Sequence, residues 1–117
     1  MTIADELGKA TDEMNKVILD VEQLLRDLKL GVPAKIALDS DLYLSFMKWG
    51  NKWQLVTLEE RGADDIIEPL VNANRRVRLK ALDKLPLLKH EMEKEARETL
   101  ADVTDAIEQT KKEWGLE

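Results

Sequence analysis

The chain has 117 residues, no cysteine and a formal net charge of −6 at pH 7. This length suits a single domain over residues 1–117, and the lack of cysteine excludes disulfides and thiolate chemistry. Apolar residues make up 44% of the chain and charged residues 36%, which is too apolar for a disordered protein and typical of amphipathic helices. Residues 1–6 do not form a secretory signal and no apolar run has membrane-spanning length, so we expect a cytoplasmic protein without a membrane partner.

Charge is distributed unevenly along the sequence. Residues 1–60 contain 7 bases and 11 acids, and residues 91–117 contain 4 bases and 9 acids. Residues 61–90 reverse the balance, with 7 bases and 4 acids. Because binding to phosphate requires a positive field, the overall charge disfavours a nucleic-acid partner, and residues 61–90 are the one exception.

The first predicted element is a long helix over residues 2–30, which Thr2 can cap. Its apolar residues alternate spacings of four and three, the pattern of a heptad repeat with Leu7 at position a. Ile18 and Leu25 at position e broaden the stripe toward its C-terminal half, which favours a helix packed against two neighbours. We expect this apolar face to be buried against other helices. Glu22 and Arg26 are predicted to form an exposed ion pair one turn apart. The stripe consists of Ile3, Leu7, Ala10, Met14, Val17, Val21, Leu24 and Leu28.

Residues 35–59 are predicted to form an antiparallel β-meander of two or three strands. Gly50 and Asn51 suit a two-residue hairpin turn, which places Phe46 opposite Leu55 and Leu44 opposite Thr57. A third strand is expected at residues 35–38. Both faces of the hairpin are apolar, so one face should pack on the helices and the other is available for a second layer or a partner.

Residues 60–72 are predicted to be a connector, followed by one helix over residues 73–85 and another over residues 86–114. Pro86 suits the first turn of a helix and disfavours helical backbone at the preceding residue, so we place a break there. Small residues along the last helix favour close antiparallel packing against the first helix. The expected fold is therefore α+β and mainly helical, with the helices packed as a bundle.

A basic segment over residues 75–84 offers the first candidate interaction site. Arg75 and Arg78 share an arc of this helix with leucines, where an unpaired guanidinium group is costly to bury. We expect Arg78 to pair with a carboxylate inside the fold or across a dimer interface. The alternative is that this helix binds nucleic acid or a small anion.

The aromatic hairpin offers the second candidate site, through Tyr43, Trp49 and Trp53. Tryptophan and tyrosine are common anchors of protein interfaces, and aromatic side chains next to basic ones can also stack on nucleic-acid bases. Burial in the core or self-association is the favoured interpretation, because Lys48 and Lys52 are too few to bind a phosphate backbone strongly.

The acidic last helix offers the third candidate, a metal-dependent enzyme. Glu91, Glu95 and Glu98 follow helical spacing, but a metal site in a bundle needs inward carboxylates from two helices, and the first helix has none on its apolar stripe. The single histidine, His90, has no nucleophile beside it, so no catalytic residues are expected. Neither a metal ion nor another cofactor is expected.

These observations favour a non-catalytic protein-interaction or adaptor module that forms a homodimer and binds a protein partner whose identity the sequence does not give. A small nucleic-acid-binding regulator that uses residues 75–84 is the alternative. A metal-dependent enzyme built on the acidic helix is the third possibility.

Overall fold

The computed structural model describes residues 2–116, which form a mixed α+β structure with two α-helices and a four-stranded antiparallel sheet. This confirms the predicted fold class, whereas the numbers of strands and helices differ from expectation. The elements are α1 (Ile3–Asp27), β1 (Ala34–Ala37), β2 (Leu42–Trp49), β3 (Lys52–Glu59), β4 (Ile66–Pro69), a short 3-10 helix (Leu70–Asn72) and α2 (Arg75–Trp114).

The sheet is a meander in which each strand pairs with the next one along the chain. The predicted hairpin register is confirmed, with Phe46 opposite Leu55 and Leu44 opposite Thr57. Gly50 has a φ of 69°, a left-handed conformation that explains glycine at this turn. The predicted third strand is β1, which pairs with β2.

Strand β4 lies inside residues 60–72, so the expectation of a connector without strands was wrong. It pairs with β3, with Leu58 opposite Ile67 and Val56 opposite Pro69. Pro69 is the last residue of this strand, and proline is tolerated on an edge strand because its missing N–H removes no bond from the interior of the sheet. The β-branched pair Ile66 and Ile67 was the signal for a strand.

Helix α2 is continuous, so the predicted break between residues 85 and 86 was wrong. It begins where expected, since the Asn74 side chain accepts a hydrogen bond from the Val77 N–H at 2.9 Å. Pro86 lies within the helix. Ala81, Leu88 and Met92 are fully buried on either side of it. Burying large apolar side chains contributes roughly 1.5–3 kcal/mol each, which together outweighs the cost of about 3 kcal/mol for an internal proline.

Both helices pack on the same face of the sheet, α1 over β3 and α2 over β1 and β2. The result is two layers with the core between them, rather than a helical bundle. The core combines residues from the sheet and from both helices: Leu44, Phe46, Leu55, Ile18, Leu25, Ala81, Leu88 and Met92.

The two helices run in the same direction, so the expected antiparallel packing was wrong. Asn15 contacts Arg78, and further along α1 and the segment that follows it Leu30 lies beside Ala96, so the numbering rises together on both helices. The path of the chain explains this direction. Strands β1, β2 and β3 make three antiparallel passes, which return the chain to the end of the sheet near Asp39, where Lys80 of α2 forms an ion pair.

Burial of the heptad stripe of α1 is confirmed only in part, because Met14 and Val21 are half-buried and pack against the core, while the other stripe residues are exposed. The buried residues of α1 are Ile18, Glu22 and Leu25. Residues of the stripe that neighbour these buried positions are exposed: Leu24 is 65% exposed and Val17 is 40% exposed. The helix therefore packs on the sheet through a face rotated away from the stripe, and the stripe lies mostly on its outer side.

Each helix extends at one end past the two packed layers, which we call the body. Residues 3–10 of α1, which we call the N-terminal arm, and residues 97–114 of α2, the C-terminal arm, have only exposed side chains. Because the helices run in the same direction, the two arms lie at opposite ends of the molecule. They account for its elongated shape, which measures 73 × 33 × 24 Å.

Candidate interaction surfaces

Helix α1 is fastened to an unpaired edge of the sheet by two polar side chains. Strand β4 pairs only with residues 56–59 of β3, so the neighbouring backbone groups of β3 lack a strand partner. Glu22 Oε1 accepts a hydrogen bond from the Leu55 N–H at 2.8 Å, and Arg26 Nη1 donates to the Trp53 carbonyl oxygen at 3.0 Å. The two side chains also form an ion pair at 3.1 Å. Glu22 is buried, so its expected position on the exposed surface was wrong.

An apolar groove runs between α1 and α2 on the side away from the sheet. Its volume is about 450 Å³. Lys89 supplies the single charged side chain of its lining, and the other lining residues are Val21, Leu24, Leu25, Leu28, Leu85 and Pro86. Such a contiguous apolar surface on a small chain is typical of an interaction site.

The N-terminal arm continues the apolar stripe of α1 beyond the body. Ile3 is 79% exposed and Leu7 is 44% exposed. Its first turn is held by a capping box, in which the Thr2 hydroxyl accepts a hydrogen bond from the Asp5 N–H at 3.2 Å and the Thr2 N–H donates to the Asp5 carboxylate at 3.3 Å. The cap stabilises helical structure in a segment that has no core contacts.

The C-terminal arm carries a second uncovered apolar stripe. Leu100, Val103, Ile107 and Trp114 are between 49% and 75% exposed, and they recur at helical spacing on one side. The helix ends at Gly115, which has a φ of 64°, and the Leu116 N–H donates to the Lys111 carbonyl oxygen at 2.8 Å. Both arms are thus capped helices that present apolar side chains to solvent.

Arg78 is 9% exposed and lies between the two helices. Its guanidinium group donates a hydrogen bond to Asn15 Oδ1, and its buried Nε has no partner among residues 2–116. The ion pairs of this part of the chain do not include Arg78. An intramolecular carboxylate partner is therefore not found in residues 2–116, and pairing across an interface stays a prediction.

Three other basic residues of the segment are exposed, Arg75, Arg76 and Lys80, but they do not form one continuous positive surface. Arg75 and Arg76 line a shallow surface hollow together with Asp83. Lys80 points toward Asp39, with 3.6 Å between Nζ and Oδ2. The burial of Arg78 and the nearby carboxylates leave a smaller positive surface than the sequence suggested.

The structure separates the three aromatic candidates onto opposite faces of the sheet, as the hairpin register predicts. Trp53 faces the helices and stacks on Phe46 with 5.7 Å between ring centroids. Tyr43 and Trp49 lie on the other face, where Lys35 Nζ sits 4.5 Å from the centre of the Tyr43 ring. Trp49 is 38% exposed, whereas Trp53 is half-buried. These three residues therefore do not form one site.

The sheet face opposite the helices is apolar and has no second layer within residues 2–116. Val56 is completely buried at its centre by its neighbours on the same face. Around it Tyr43, Met47 and Leu58 are half-buried. Since neighbouring side chains already shield the centre of this face, it exposes less apolar surface per residue than the two arms.

Within the part of the chain that the structure describes, no three histidine, aspartate or glutamate side chains are placed to hold a metal ion. Neither of its helices combines the length and the low charge that crossing a membrane requires.

Comparison with protein-family models, with curated proteins and with solved structures finds no match to this chain. The function of this chain is therefore inferred from its own surfaces.

Sequence reasoning missed two features of these surfaces. The buried role of Glu22 was detectable, because Glu22 shares one face of the helix with Ile18 and Leu25, four residues before it and three after it. The exposure of both arms was not detectable, because a heptad stripe shows that a helix has a partner without showing which chain supplies that partner.

Proposed function

We propose that this chain is a non-catalytic interaction module that self-associates through the apolar stripes on its helices. The observation that carries the proposal is that both arms present regularly spaced apolar side chains that are exposed rather than packed in the core of residues 2–116. Helices that are apolar along one stripe normally bury it against another helix. Two copies, the expected homodimer, are the smallest assembly that can cover a stripe.

The proposal is supported by the contrast between the stripes and the rest of the surface. Ile3, Leu100 and Trp114 are each more than 60% exposed, and they belong to two linear stripes. Scattered exposed apolar residues are normal on a protein surface, but contiguous rows of them mark interaction sites. The burial of Arg78 adds no support to the nucleic-acid alternative.

Sedimentation velocity of the full chain at increasing concentration tests the proposal. We expect the average mass to rise above 13.4 kDa, and we expect a variant with both Leu7→Asp and Ile107→Asp to remain a monomer. Leu19→Asp is the matched control, because Leu19 is 49% exposed on α1 but lies outside the stripe. A wild-type chain that stays monomeric at several hundred micromolar would show that the proposal is wrong.

A further inference from the structure

We infer that the C-terminal arm of one copy is covered by the N-terminal arm of a second copy, with the two helices running in the same direction. This inference rests on the proposed self-association and specifies its contact. The arms lie at opposite ends of each molecule, so the contact joins copies head to tail.

The first argument is that α1 already covers the same side of α2 within each molecule. Asn15 meets Arg78 at the start of this interface, and Leu30 meets Ala96 and Leu100 at its end. Beyond this point α2 continues for more than three turns, and its apolar stripe continues with it. The uncovered part is therefore an extension of an existing helix–helix interface, whose partner inside the molecule is α1.

The second argument is that the N-terminal arm has the matching shape. It belongs to the same helix α1 and projects beyond its own α2 without a partner. Residues 3–14 of α1 and 103–114 of α2 each span about 17 Å at 1.5 Å per residue. Their apolar positions recur with the same alternation of four and three, and the larger residues Ile3 and Leu7 would pack against a stripe that includes the smaller Thr110.

The third argument comes from the charges beside the stripes. With Leu100 and Ile107 at heptad position a, Arg97 and Lys111 occupy position e. In two unshifted C-terminal arms that run in the same direction, Lys111 would lie opposite Ala106 at position g, and in arms that run in opposite directions the bases at position e would lie opposite each other. In α1, position g holds Glu6 and Glu13. Positions g and e of neighbouring helices meet when the helices run in the same direction, so an N-terminal arm that lies along residues 103–114 supplies an acid to Lys111.

A head-to-tail contact leaves one arm of each kind uncovered at the ends of an assembly. Such a contact generates open chains, or rings when the rotation between copies closes. Because each contact involves only a few turns of helix, the interface is small and we expect assembly to depend strongly on concentration.

Two single variants and their mixture test this inference. Leu7→Asp disables the N-terminal arm, and Ile107→Asp disables the C-terminal arm. Both positions lie outside the core, and circular dichroism checks that each variant is folded. We expect each variant alone to be monomeric by light scattering, and an equimolar mixture to form a complex of two chains, since each variant keeps the arm that the other needs.

The other outcomes overturn the inference in distinguishable ways. If the Leu7→Asp variant associates alone, the C-terminal arms pair with each other or with another surface, while the proposed self-association survives. If the wild type associates and the mixture remains monomeric, the two arms are not each other's partners. If the wild type itself is monomeric, the proposed function and this inference fail together.

Charge reversal tests the direction of the two helices. We expect Lys111→Glu to weaken association about two- to fivefold, as for an exposed ion pair, and the additional changes Glu6→Lys and Glu13→Lys to restore it. Lys112→Glu is the matched control, because the neighbouring Lys112 points away from the stripe. Equal effects of Lys111→Glu and Lys112→Glu, or no restoration, would contradict packing in the same direction.

Discussion

The body and the arms of this protein are built from the same two helices with the same apolar spacing, yet their surroundings differ completely. In the body, Ile18, Leu88 and Met92 are at most 1% exposed, because the sheet covers them. In the C-terminal arm, the apolar side chains of α2 are exposed, because the sheet does not cover them. The comparison shows that helical periodicity predicts the existence of a partner surface, whereas the lengths of the sheet and of the neighbouring helix decide how much of each helix is covered within one chain.

The largest expected effect comes from truncating the same kind of side chain in the two regions of α2. Leu88→Ala removes a completely buried side chain and should lower the free energy of unfolding by about 3 kcal/mol, the typical cost of lost burial and a new cavity. Ile107→Ala should change it by less than about 0.5 kcal/mol, because Ile107 is 49% exposed. Urea denaturation at low micromolar concentration measures both, and equal losses would show that the arm is buried in the monomer.

The free energy of unfolding should fall by about 2–3 kcal/mol when the buried hydrogen bond and ion pair of Glu22 are removed. Glu22→Ala leaves the buried Leu55 N–H without its acceptor and removes the ion-pair partner of Arg26. Glu22→Gln retains an acceptor and should cost less. Glu13→Ala is the matched control, since Glu13 is exposed on the same helix and should leave the free energy of unfolding nearly unchanged. If Glu22→Ala were as mild as Glu13→Ala, these two contacts would contribute little to stability.

The sequence predicted the parts of the fold that depend on local signals. The hairpin register followed from Gly50 and Asn51, and the start of α1 followed from the cap Thr2, whereas the sequence left Asn72 and Asn74 as alternative caps of α2. It did not predict β4 or the direction of α2, because these depend on how the chain returns across the sheet. It also predicted that the whole apolar face of α1 is buried. Ile18 and Leu25 at its edge are buried, but spacing alone did not show that most of the remaining stripe is exposed.

Pro86 offers a third test, now within the body. Replacing it by alanine restores an N–H that can bond to the Leu82 carbonyl oxygen, and we expect the free energy of unfolding to rise by about 1–3 kcal/mol. Lys89→Ala, also in the lining of the groove, is the control for a change of the groove surface without a change of backbone hydrogen bonding. A loss of stability in Pro86→Ala would mean that the proline ring contributes more by packing than its missing hydrogen bond costs.

The smallest expected effect on the body comes from the largest deletion. A chain that ends at Leu100 loses most of the C-terminal arm, yet its unfolding free energy at low concentration should change by less than about 1 kcal/mol, because the deleted side chains are exposed and contribute no burial. At high concentration the full chain should be more stable than the shortened one, since binding between native copies stabilises only a chain that retains the arm. Thermal unfolding followed by circular dichroism over a hundredfold range of concentration separates the two contributions. A melting temperature that rises with concentration in the full chain and stays constant in the shortened one would place the role of the arm between molecules. A large loss of stability at low concentration would instead place it within the body.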